Sequence, residues 1–358
     1  MRNTLKAATL ESKFPLLAVE ADCIISKDAD ITAVFEVELP ELFTVTAAEY
    51  EAIHAAWAKA IKVLPNYTVV HKQDWFIRED YRSQTDEENL SFLSRSYEMH
   101  FNERPFLNHK CYLYLTKTTK ERMRMQSSFS SLCRGFIIPK EVDKDTTAHF
   151  LDTVGQFARI VNDTGLVHLR RLVGDEITGT EDKAGLVEKY FCLSMENTTA
   201  LEDIELGDDG LRVGDKHVSV HTLSELDALP NKVGTDCRYE RLSTDKSDCK
   251  LSFASPVGLL LSCNHLYNQY IFLDDSGENL QRFEKSARNM QSLSKYSRSN
   301  QINKEWIDLY LNDAHSFGLT SVRAHCNVIA WTDNPMEVKN MRNDVGSQIA
   351  MMECKPRH

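Results

Sequence analysis

The order in which helices and strands are predicted is nearly the same in two separate segments of the chain. In the first segment, residues 23–39 predict a two-stranded hairpin with a turn at 28–30. Alternating helices and strands follow it at 46–64, 67–77, 85–103 and 108–118. In the second segment, strands at 257–263 and 269–274 are followed by helices between Ser276 and Phe317, and then by a strand, a helix and a strand at 320–332, 335–347 and 348–354.

This order predicts an α+β protein with two split β-α-β (ferredoxin-like) sheet-plus-helix units and a mainly helical insertion between them. The predicted domains are an N-terminal α+β unit at 1–118, the insertion at 119–203 and a second α+β unit at 204–358. The second unit contains a polar, turn-rich loop at 228–256, which is a candidate functional or interface loop because it lacks a clear period. The repeat rests on element order alone, so the two units either share one fold or are similar only in order.

Capping and periodicity support the predicted helices. Thr46 with Glu49, and Thr85 with Glu88, have the spacing of a capping box. The second helix carries an apolar stripe of Leu90, Leu93, Tyr97 and Phe101. In the insertion, a helix at 146–162 carries a stripe of Phe150, Val154, Phe157, Ile160 and Val161.

Charge and cysteine content argue against several classes of protein. A formal net charge of −11 is unfavourable for a protein that coats nucleic acid, although a local basic face is compatible with it. Nine cysteines without CxxC spacing fit buried thiols in a reducing compartment. No apolar run approaches the roughly 18 residues of a transmembrane helix, and the first residues lack the apolar core of a secretory signal. These features predict a cytoplasmic protein whose membrane contact, if any, is peripheral.

The GxxxxGK[ST], GxGxxG and GxSxG motifs, which bind phosphate or position a nucleophilic serine, are absent from the sequence. A catalytic Cys–His pair stays open among nine cysteines and twelve histidines, but nothing singles one out. The segment most similar to a Walker A loop runs from Gly210 to Gly214, but its spacing is wrong and it lacks the Ser or Thr that would hold magnesium. We interpret it as a hairpin turn. Asp274 and Asp275 stand at a strand end before a helix, and we interpret them as turn and capping residues rather than an acid–base pair. No catalytic or cofactor-binding residue is therefore predicted.

Four residues in the second half of the chain can be weighed as zinc ligands: Cys237, Cys249, Cys263 and His265. Zinc sites favour closely spaced pairs of ligands, and only Cys263 and His265 are close. Buried thiols with a hydrogen-bonded histidine are the favoured interpretation. His217 and His221 would share one face of a strand about 13 Å apart, so they cannot bind one ion. No metal site is predicted.

Two clusters of basic residues are open to two interpretations. One cluster surrounds Tyr296 and consists of Arg282, Lys285, Arg288, Lys295, Arg298 and Lys304. The other consists of Lys117, Lys120, Arg122, Arg124 and Arg134. Basic residues beside an aromatic ring can bind single-stranded nucleic acid. In the first cluster, however, Glu278 and Glu284 precede Arg282 and Arg288 by one helical turn, which favours a solvated, ion-paired helix face.

Four long stretches of sequence resemble one known family. They are MRNTLKAATLESKFPLL, FLNHKCYLYLTKTTKERMRMQSSFSSLCRGFIIPKEV, KVGTDCRYERLSTDKSDCKLSFASPVGLLLSCNHLYNQYIF and SVRAHCNVIAW. The stretches resemble the N-terminal region of the TraG conjugation ATPases of Bacteroides-type conjugative transposons. Those proteins are similar to the VirB-type assembly ATPases of type IV secretion systems. The resemblance covers essentially the whole chain and lies in long words rather than in a short motif.

The resemblance implies a role in conjugative DNA transfer. In that family a RecA-like ATPase domain with Walker A and B motifs follows this region, so the chain is expected to end just before the motor and to lack its own catalytic residues. The implied role is non-catalytic: docking to inner-membrane proteins of the conjugation channel and to the parent's own ATPase domain, and assembly of a homo-oligomeric motor. The implied location is cytoplasmic and peripheral, at the inner face of the inner membrane.

Two other classes of function remain open from the residues. One is a nucleic-acid-binding module that uses the basic 282–304 face, which a salt-dependent affinity for single strands would support. The other is an enzyme of unknown type, which a deep pocket with convergent titratable groups would favour.

Overall fold

In a computed structural model, the chain forms an α+β fold in which helices pack on a large, mainly antiparallel sheet. The predicted α+β class is confirmed. The structure describes residues 14–41, 44–81, 91–102, 104–120, 144–197, 201–207, 210–223, 237–238, 244, 250–251, 253, 255–294, 296–319 and 321–355.

The helices and strands are numbered in chain order. The strands are β1 Leu16–Glu20, β2 Cys23–Ser26, β3 Ile31–Glu38, β4 Thr68–Glu79, β5 Phe106–Lys117, β6 His168–Arg171, β7 Gly179–Thr180, β8 Lys183–Ala184, β9 Ile204–Gly207, β10 Gly210–Val213, β11 Lys216–Thr222, β12 Cys237–Arg238, β13 Lys250–Leu251, β14 Asn264–Leu273 and β15 Arg323–Thr332. The helices are α1 Ala47–Val63, α2 Phe92–Asn102, α3 Lys144–Asn162, α4 Gly174–Thr178, α5 Leu186–Cys192, α6 Ser255–Leu259, α7 Ser276–Leu293, α8 Arg298–Phe317 and α9 Val338–Met351.

The large sheet has 11 strands, in the order β1-β2-β3-β5-β4-β14-β15-β11-β10-β9, with β6 also paired to β3. The pairs β1–β2, β2–β3, β3–β6, β9–β10, β10–β11 and β11–β15 are antiparallel. Two short pairs, β7–β8 and β12–β13, stand apart from this sheet. Some strands that are neighbours in the sheet, such as β4 and β14, are not consecutive in the chain, so they do not form a simple hairpin.

Internal packing divides the chain into two compact units, each assembled from three stretches. Unit 1 comprises Met1–His71, Tyr114–Arg171 and Tyr270–Ala324; unit 2 comprises Lys72–Leu113, Leu172–Gln269 and His325–His358. The long strands β4, β5, β14 and β15 contribute residues to both units. The domain boundaries at 118 and 203 follow chain order rather than packing, and they stay a prediction.

The core of unit 1 is built from α1, α3 and β3. Thr46 begins α1 with the predicted capping box, since its backbone N–H donates to Glu49 at 2.8 Å and its hydroxyl accepts from the Glu49 N–H. The predicted stripe of α3 is buried at Phe150, Val154 and Phe157. Phe157 makes an edge contact with Trp57 of α1, with ring centroids 5.6 Å apart. The capping box and the apolar stripe thus predicted the positions of α1 and α3 correctly.

The core of unit 2 forms where α9 and α6 pack on strands β14 and β15. Its largest contributors are Phe76, Tyr267, Val328, Met341 and Ile349. The β9–β10–β11 meander confirms the strands predicted within 204–222. The Gly210–Gly214 segment, interpreted as a hairpin turn, is instead mostly strand β10, and only Gly214 lies in the turn that leads to β11.

Two strands predicted in the second repeated segment are wrong. Residues 257–263 overlap α6, in which Pro256 occupies the first turn, where its missing N–H needs no partner. Within 348–354 the helix α9 continues to its end at Met351, because Met341 and Ile349 recur at helical spacing and are buried. The second segment therefore begins and ends differently from the first, and the expected repeat of element order fails at both ends.

A chain of buried amide hydrogen bonds crosses three neighbouring strands of unit 2. The indole N–H of Trp75 donates to Gln73 Oε1 at 2.9 Å, and Gln73 Nε2 donates to Asn268 Oδ1 at 3.0 Å. Asn268 Nδ2 then donates to Asn327 Oδ1 at 3.0 Å. The side chains of Gln73 and Asn268 are almost fully buried. The amide chain links β4, β14 and β15 at one register.

Replacing Asn268 with Ala should destabilise the protein by roughly 2–3 kcal/mol, because the buried Gln73 amide and the half-buried Asn327 amide each lose a partner. The matched control is Asn108→Ala, which removes an exposed hydrogen bond to Glu79 and should cost about 0.5 kcal/mol or less. Urea denaturation followed by circular dichroism measures both. Equal effects for the two variants would contradict the importance of the amide chain.

Candidate functional site

Helices α7 and α8 form a hairpin in unit 1 whose geometry is set by caps and ring packing. Asp275 begins α7, and its carboxylate accepts from the Glu278 N–H at 2.9 Å, so the predicted capping role is confirmed. Asp274 instead accepts from Arg323 Nε at 2.6 Å. Phe283 of α7 makes an edge contact with Tyr310 of α8 at 5.1 Å between ring centroids. The face of α8 that carries Tyr310 thus packs on α7.

A neighbouring face of α8 is also apolar and is exposed. Ile302, Trp306 and Leu309, which we call the outer stripe, lie at i, i+4 and i+7, and Trp306 and Leu309 are 55% and 62% exposed. Phe317, at the end of the helix, is exposed as well. A helix that is apolar on two faces is usually covered on both, and large exposed apolar patches mark interaction sites. The outer stripe is therefore a candidate docking surface.

Helix α2 of unit 2 is a second exposed apolar element. Phe92 and Leu93 are 84% and 78% exposed, and no residue of α2 is buried. Tyr97 packs its ring on Phe101 at 4.6 Å between centroids, so the predicted stripe exists but does not face a core. Its predicted cap, Thr85 with Glu88, and Leu90 lie outside the described residues.

A polar cluster lies on two neighbouring strands of unit 2. Lys72 and Asp74 alternate along β4, and His109 and Cys111 alternate along β5. The Asp74 carboxylate accepts from Lys72 Nζ at 2.6 Å and lies 2.9 Å from His109 Nε2. Asp74 and Cys111 are buried, while the side chain of Lys72 is 26% exposed. Four groups that could do chemistry are thus collected on one sheet face.

The electrostatics of this cluster favour a structural role. Burial raises the pKa of the Cys111 thiol far above its ordinary value, so the thiol is neutral at pH 7. Burial would also raise the pKa of Asp74, but Lys72 and the hydrogen bond from His109 outweigh it and lower that pKa to about 2. Burial opposes the charge on Lys72, yet Cys111 and Asp74 raise its pKa. A general base works best with a pKa near the operating pH, which Asp74 does not have.

The sequence analysis missed both the polar cluster and the outer stripe. The signal for the cluster was present as polar residues at alternate positions of two strands, Lys72-x-Asp74 and His109-x-Cys111. The signal for the outer stripe was the i, i+4, i+7 spacing within 302–309, in a segment where only the basic residues were weighed.

Asp74→Asn should destabilise the protein by roughly 3 kcal/mol at pH 7, because it leaves the largely buried Lys72 ammonium without its anion. The native Asp74 carboxylate stabilises the fold above the ordinary pKa of 3.8, and this contribution is lost as the pH falls towards 2. The stability of the native protein should therefore decline between pH 4 and 2 more steeply than that of the variant.

Urea denaturation at pH 7, 4 and 2.5 measures both effects. The control is Glu36→Gln, which breaks an exposed ion pair with Arg170 and should cost less than about 1 kcal/mol. If Asp74→Asn were no more harmful than this control, the buried ion pair would not be important for stability.

Of the four residues weighed as zinc ligands, His265 is held by backbone carbonyl groups. His265 is buried, and its Nδ1 and Nε2 lie 2.8 Å and 3.0 Å from the backbone carbonyls of Cys263 and Gly258. Both ring nitrogens are thus engaged, and burial lowers the pKa of His265. Cys249 and the side chain of Cys237 lie outside the described residues. Across the described ranges, no group of three or more His, Cys, Asp or Glu residues could hold a metal ion.

The structure describes His217, His221 and part of each basic cluster. His217 and His221 pair with Thr332 and Val328 along β11, so they occupy one strand four residues apart, as predicted. In the first basic cluster Lys304 pairs with Asp308 at 3.2 Å, as expected for an ion-paired face. Glu278 contacts Lys120 of the second cluster, a partner that helical spacing does not reveal. Lys295, Arg122, Arg124, Arg134 and most of the 228–256 loop lie outside the described residues.

The first residues of the chain match a known family model. Residues 3–55 match the model of a family described as "Domain of unknown function, B. Theta Gene description" (DUF3875). The matched segment includes β1, β2, β3 and the first half of α1. No curated protein matches the chain. Among the described residues, no helix is both long and apolar enough to cross a membrane.

Proposed function

We propose that this chain is a non-catalytic, N-terminal-type docking domain of a conjugative DNA-transfer ATPase of the TraG type. It binds inner-membrane proteins of the transfer channel and the parent's own ATPase domain, and it helps to assemble a homo-oligomeric motor. It works on the cytoplasmic side, at the inner face of the inner membrane, and reaches the membrane through its partners.

The outer stripe is the observation that carries this proposal. Trp306 and Leu309 expose more than half of their surfaces on a helix that already packs a neighbouring face on α7. Exposed tryptophan flanked by aliphatic side chains is typical of the energetic centre of protein interfaces. The long stretches of sequence that resemble the TraG family, and the match at 3–55 to a family described from B. Theta, support the biological context.

A photo-crosslinking amino acid at Trp306, in the full-length gene product in its host, should form adducts with inner-membrane proteins of the transfer channel. The same probe at Met336, which is 84% exposed but lies outside the hairpin, is the control. Mass spectrometry identifies the adducts. No adduct at Trp306, or the same adducts at both positions, would contradict the assignment of the docking surface.

The double variant Trp306→Ser, Leu309→Ser should lower the frequency of DNA transfer at least tenfold, since loss of a central tryptophan typically costs an interface roughly 2 kcal/mol or more. Met336→Ser should leave transfer unchanged. The substituted side chains are exposed and contribute little to the fold, so we expect equal protein levels. Immunoblotting checks this. Unchanged transfer in the double variant would argue against this function.

The purified chain should show no magnesium-dependent release of phosphate from ATP. Hydrolysis by this class of motor requires a glycine-rich loop, a lysine on the β and γ phosphates and a hydroxyl on magnesium, and the sequence lacks that set. A malachite-green assay against a buffer blank measures it. Turnover that survives a second purification step would return the chain to the enzyme hypothesis.

The nucleic-acid alternative has weaker support. The basic 282–304 face would use α7 and α8. On α8, Lys304 is already paired with Asp308, and the exposed surface includes the apolar outer stripe. A filter-binding assay with a single-stranded oligonucleotide at two salt concentrations separates the two functions, because affinity for phosphates falls steeply with salt whereas apolar docking does not.

A further inference from the structure

The outer stripe of α8 is framed by one basic and one acidic residue on the same helix face. Arg298 lies one turn before Ile302, and Asp313 lies one turn after Leu309. Both charged residues are exposed, as is the stripe between them. Because each residue advances about 100° around a helix, these four residues and Trp306 fall within an arc of about 80°. Along the helix, this face is therefore basic, then apolar, then acidic.

The pattern is symmetrical about its middle. Ile302 and Leu309 are equally far from the point between residues 305 and 306, and so are Arg298 and Asp313. If two copies of α8 pack antiparallel about a two-fold axis at that point, Ile302 of each copy faces Leu309 of the other. Arg298 then faces Asp313, and Trp306 lies beside the axis next to its own counterpart. In parallel packing, like charges would face each other, so charge complementarity selects the antiparallel pair.

Both charges lie at unfavourable ends of their own helix. Arg298 is the first residue of α8, where unpaired N–H groups carry a partial positive charge. Asp313 lies close to the opposite end at Phe317, where the carbonyl groups carry a partial negative charge. An antiparallel second copy brings the opposite charge to each end. The placement is therefore unfavourable in an isolated helix and favourable in a pair.

We infer that α8 pairs antiparallel with α8 of a second copy of this chain, so that the two outer stripes cover each other. This role rests on the function proposed above: self-pairing covers the docking surface until a channel protein displaces the second copy. Each stripe buries the other, which removes apolar surface of both copies from water. One pair of 20-residue helices is expected to bury less than the roughly 1,200 Å² of a stable interface, so the pairing is weak and reversible.

Glu305 is a group on this face that opposes the pairing. It is exposed, and its carboxylate accepts a hydrogen bond from Gln301 Nε2 at 3.2 Å. It lies next to the two-fold axis, so the carboxylates of the two copies are brought near each other. Removing this charge should therefore strengthen the pairing.

Sedimentation equilibrium of the purified chain, at low salt and from about 5 to 500 µM, tests the pairing in the range of weak association. We expect an equilibrium between monomer and dimer. Trp306→Ser should weaken dimerisation at least tenfold, and Glu305→Gln should strengthen it several-fold. Lys59→Glu reverses an exposed charge on α1 of the same unit and should leave dimerisation unchanged.

A charge swap tests the antiparallel arrangement. Arg298→Glu and Asp313→Arg should each weaken dimerisation several-fold, because both facing pairs in the dimer then carry like charges. An equimolar mixture of the two variants should restore it, since both facing pairs of the mixed dimer again join opposite charges. Recovery in the mixture also shows that both variants are folded.

Four results would overturn the pairing. They are a native chain that stays monomeric throughout the range, a mixture no better than the single variants, weaker dimerisation by Glu305→Gln, and equal weakening by Lys59→Glu. The sedimentation assay contains no channel protein, so its outcome does not depend on the docking function. If the crosslinking probe at Trp306 captured only a second copy in the host, the pairing would be supported and docking to the channel contradicted. Channel adducts together with a monomeric purified chain would do the reverse.

Discussion

The buried amide chain of Trp75, Gln73, Asn268 and Asn327 is the interaction on which the rest of unit 2 depends. It joins β4 to β14, although Gln73 and Asn268 are 195 residues apart in sequence. A slip of one residue in a strand moves every side chain to the opposite face of the sheet. Because amides in the interior must be paired, any such slip would leave several polar groups unsatisfied, and the observed register is the one that pairs them.

The same register determines where the charged groups of β4 lie. Gln73 and Trp75 share one face, so Lys72, Asp74 and Phe76 project from the other. There Phe76 stacks on His265 and His109, with centroids 4.5 Å and 4.7 Å away, beside the apolar core under α9. In such surroundings an isolated charge would be costly, and only the mutual pairing of Lys72 with Asp74 makes the arrangement stable. This explains why Asp74 and Cys111, two reactive residue types of the cluster, are held in protonation states unsuited to a general base and a nucleophile.

Local features of this fold could be predicted from the sequence, whereas long-range ones could not. The Thr46 capping box and the buried stripe of α3 depend on residues three to eleven positions apart, and both are present as predicted. The neighbour relation of β4 and β14 depends on amides that look like surface residues in the sequence. The helix α6 was read as a strand because a short apolar run is compatible with either element, and Pro256 was the signal against it.

For the candidate site, periodicity revealed that α8 is a helix but not that two neighbouring faces of it are apolar with only one of them covered. The free energy of burying the outer stripe indicates how strongly one copy of α8 could bind a partner. Ile302, Trp306 and Leu309 are already partly covered, so burying their remaining surface would contribute less than the about 1.5–3 kcal/mol of a fully buried side chain. The sum is no larger than the roughly 4–15 kcal/mol that association costs in lost freedom. A single outer stripe therefore supports only weak binding. A homo-oligomer presents the same stripe several times, and engaging two or more copies at once multiplies the apparent affinity without new contacts. Under the function proposed above, docking through α8 would be strong only in an assembled homo-oligomeric motor, which would couple recruitment to the channel with oligomerisation.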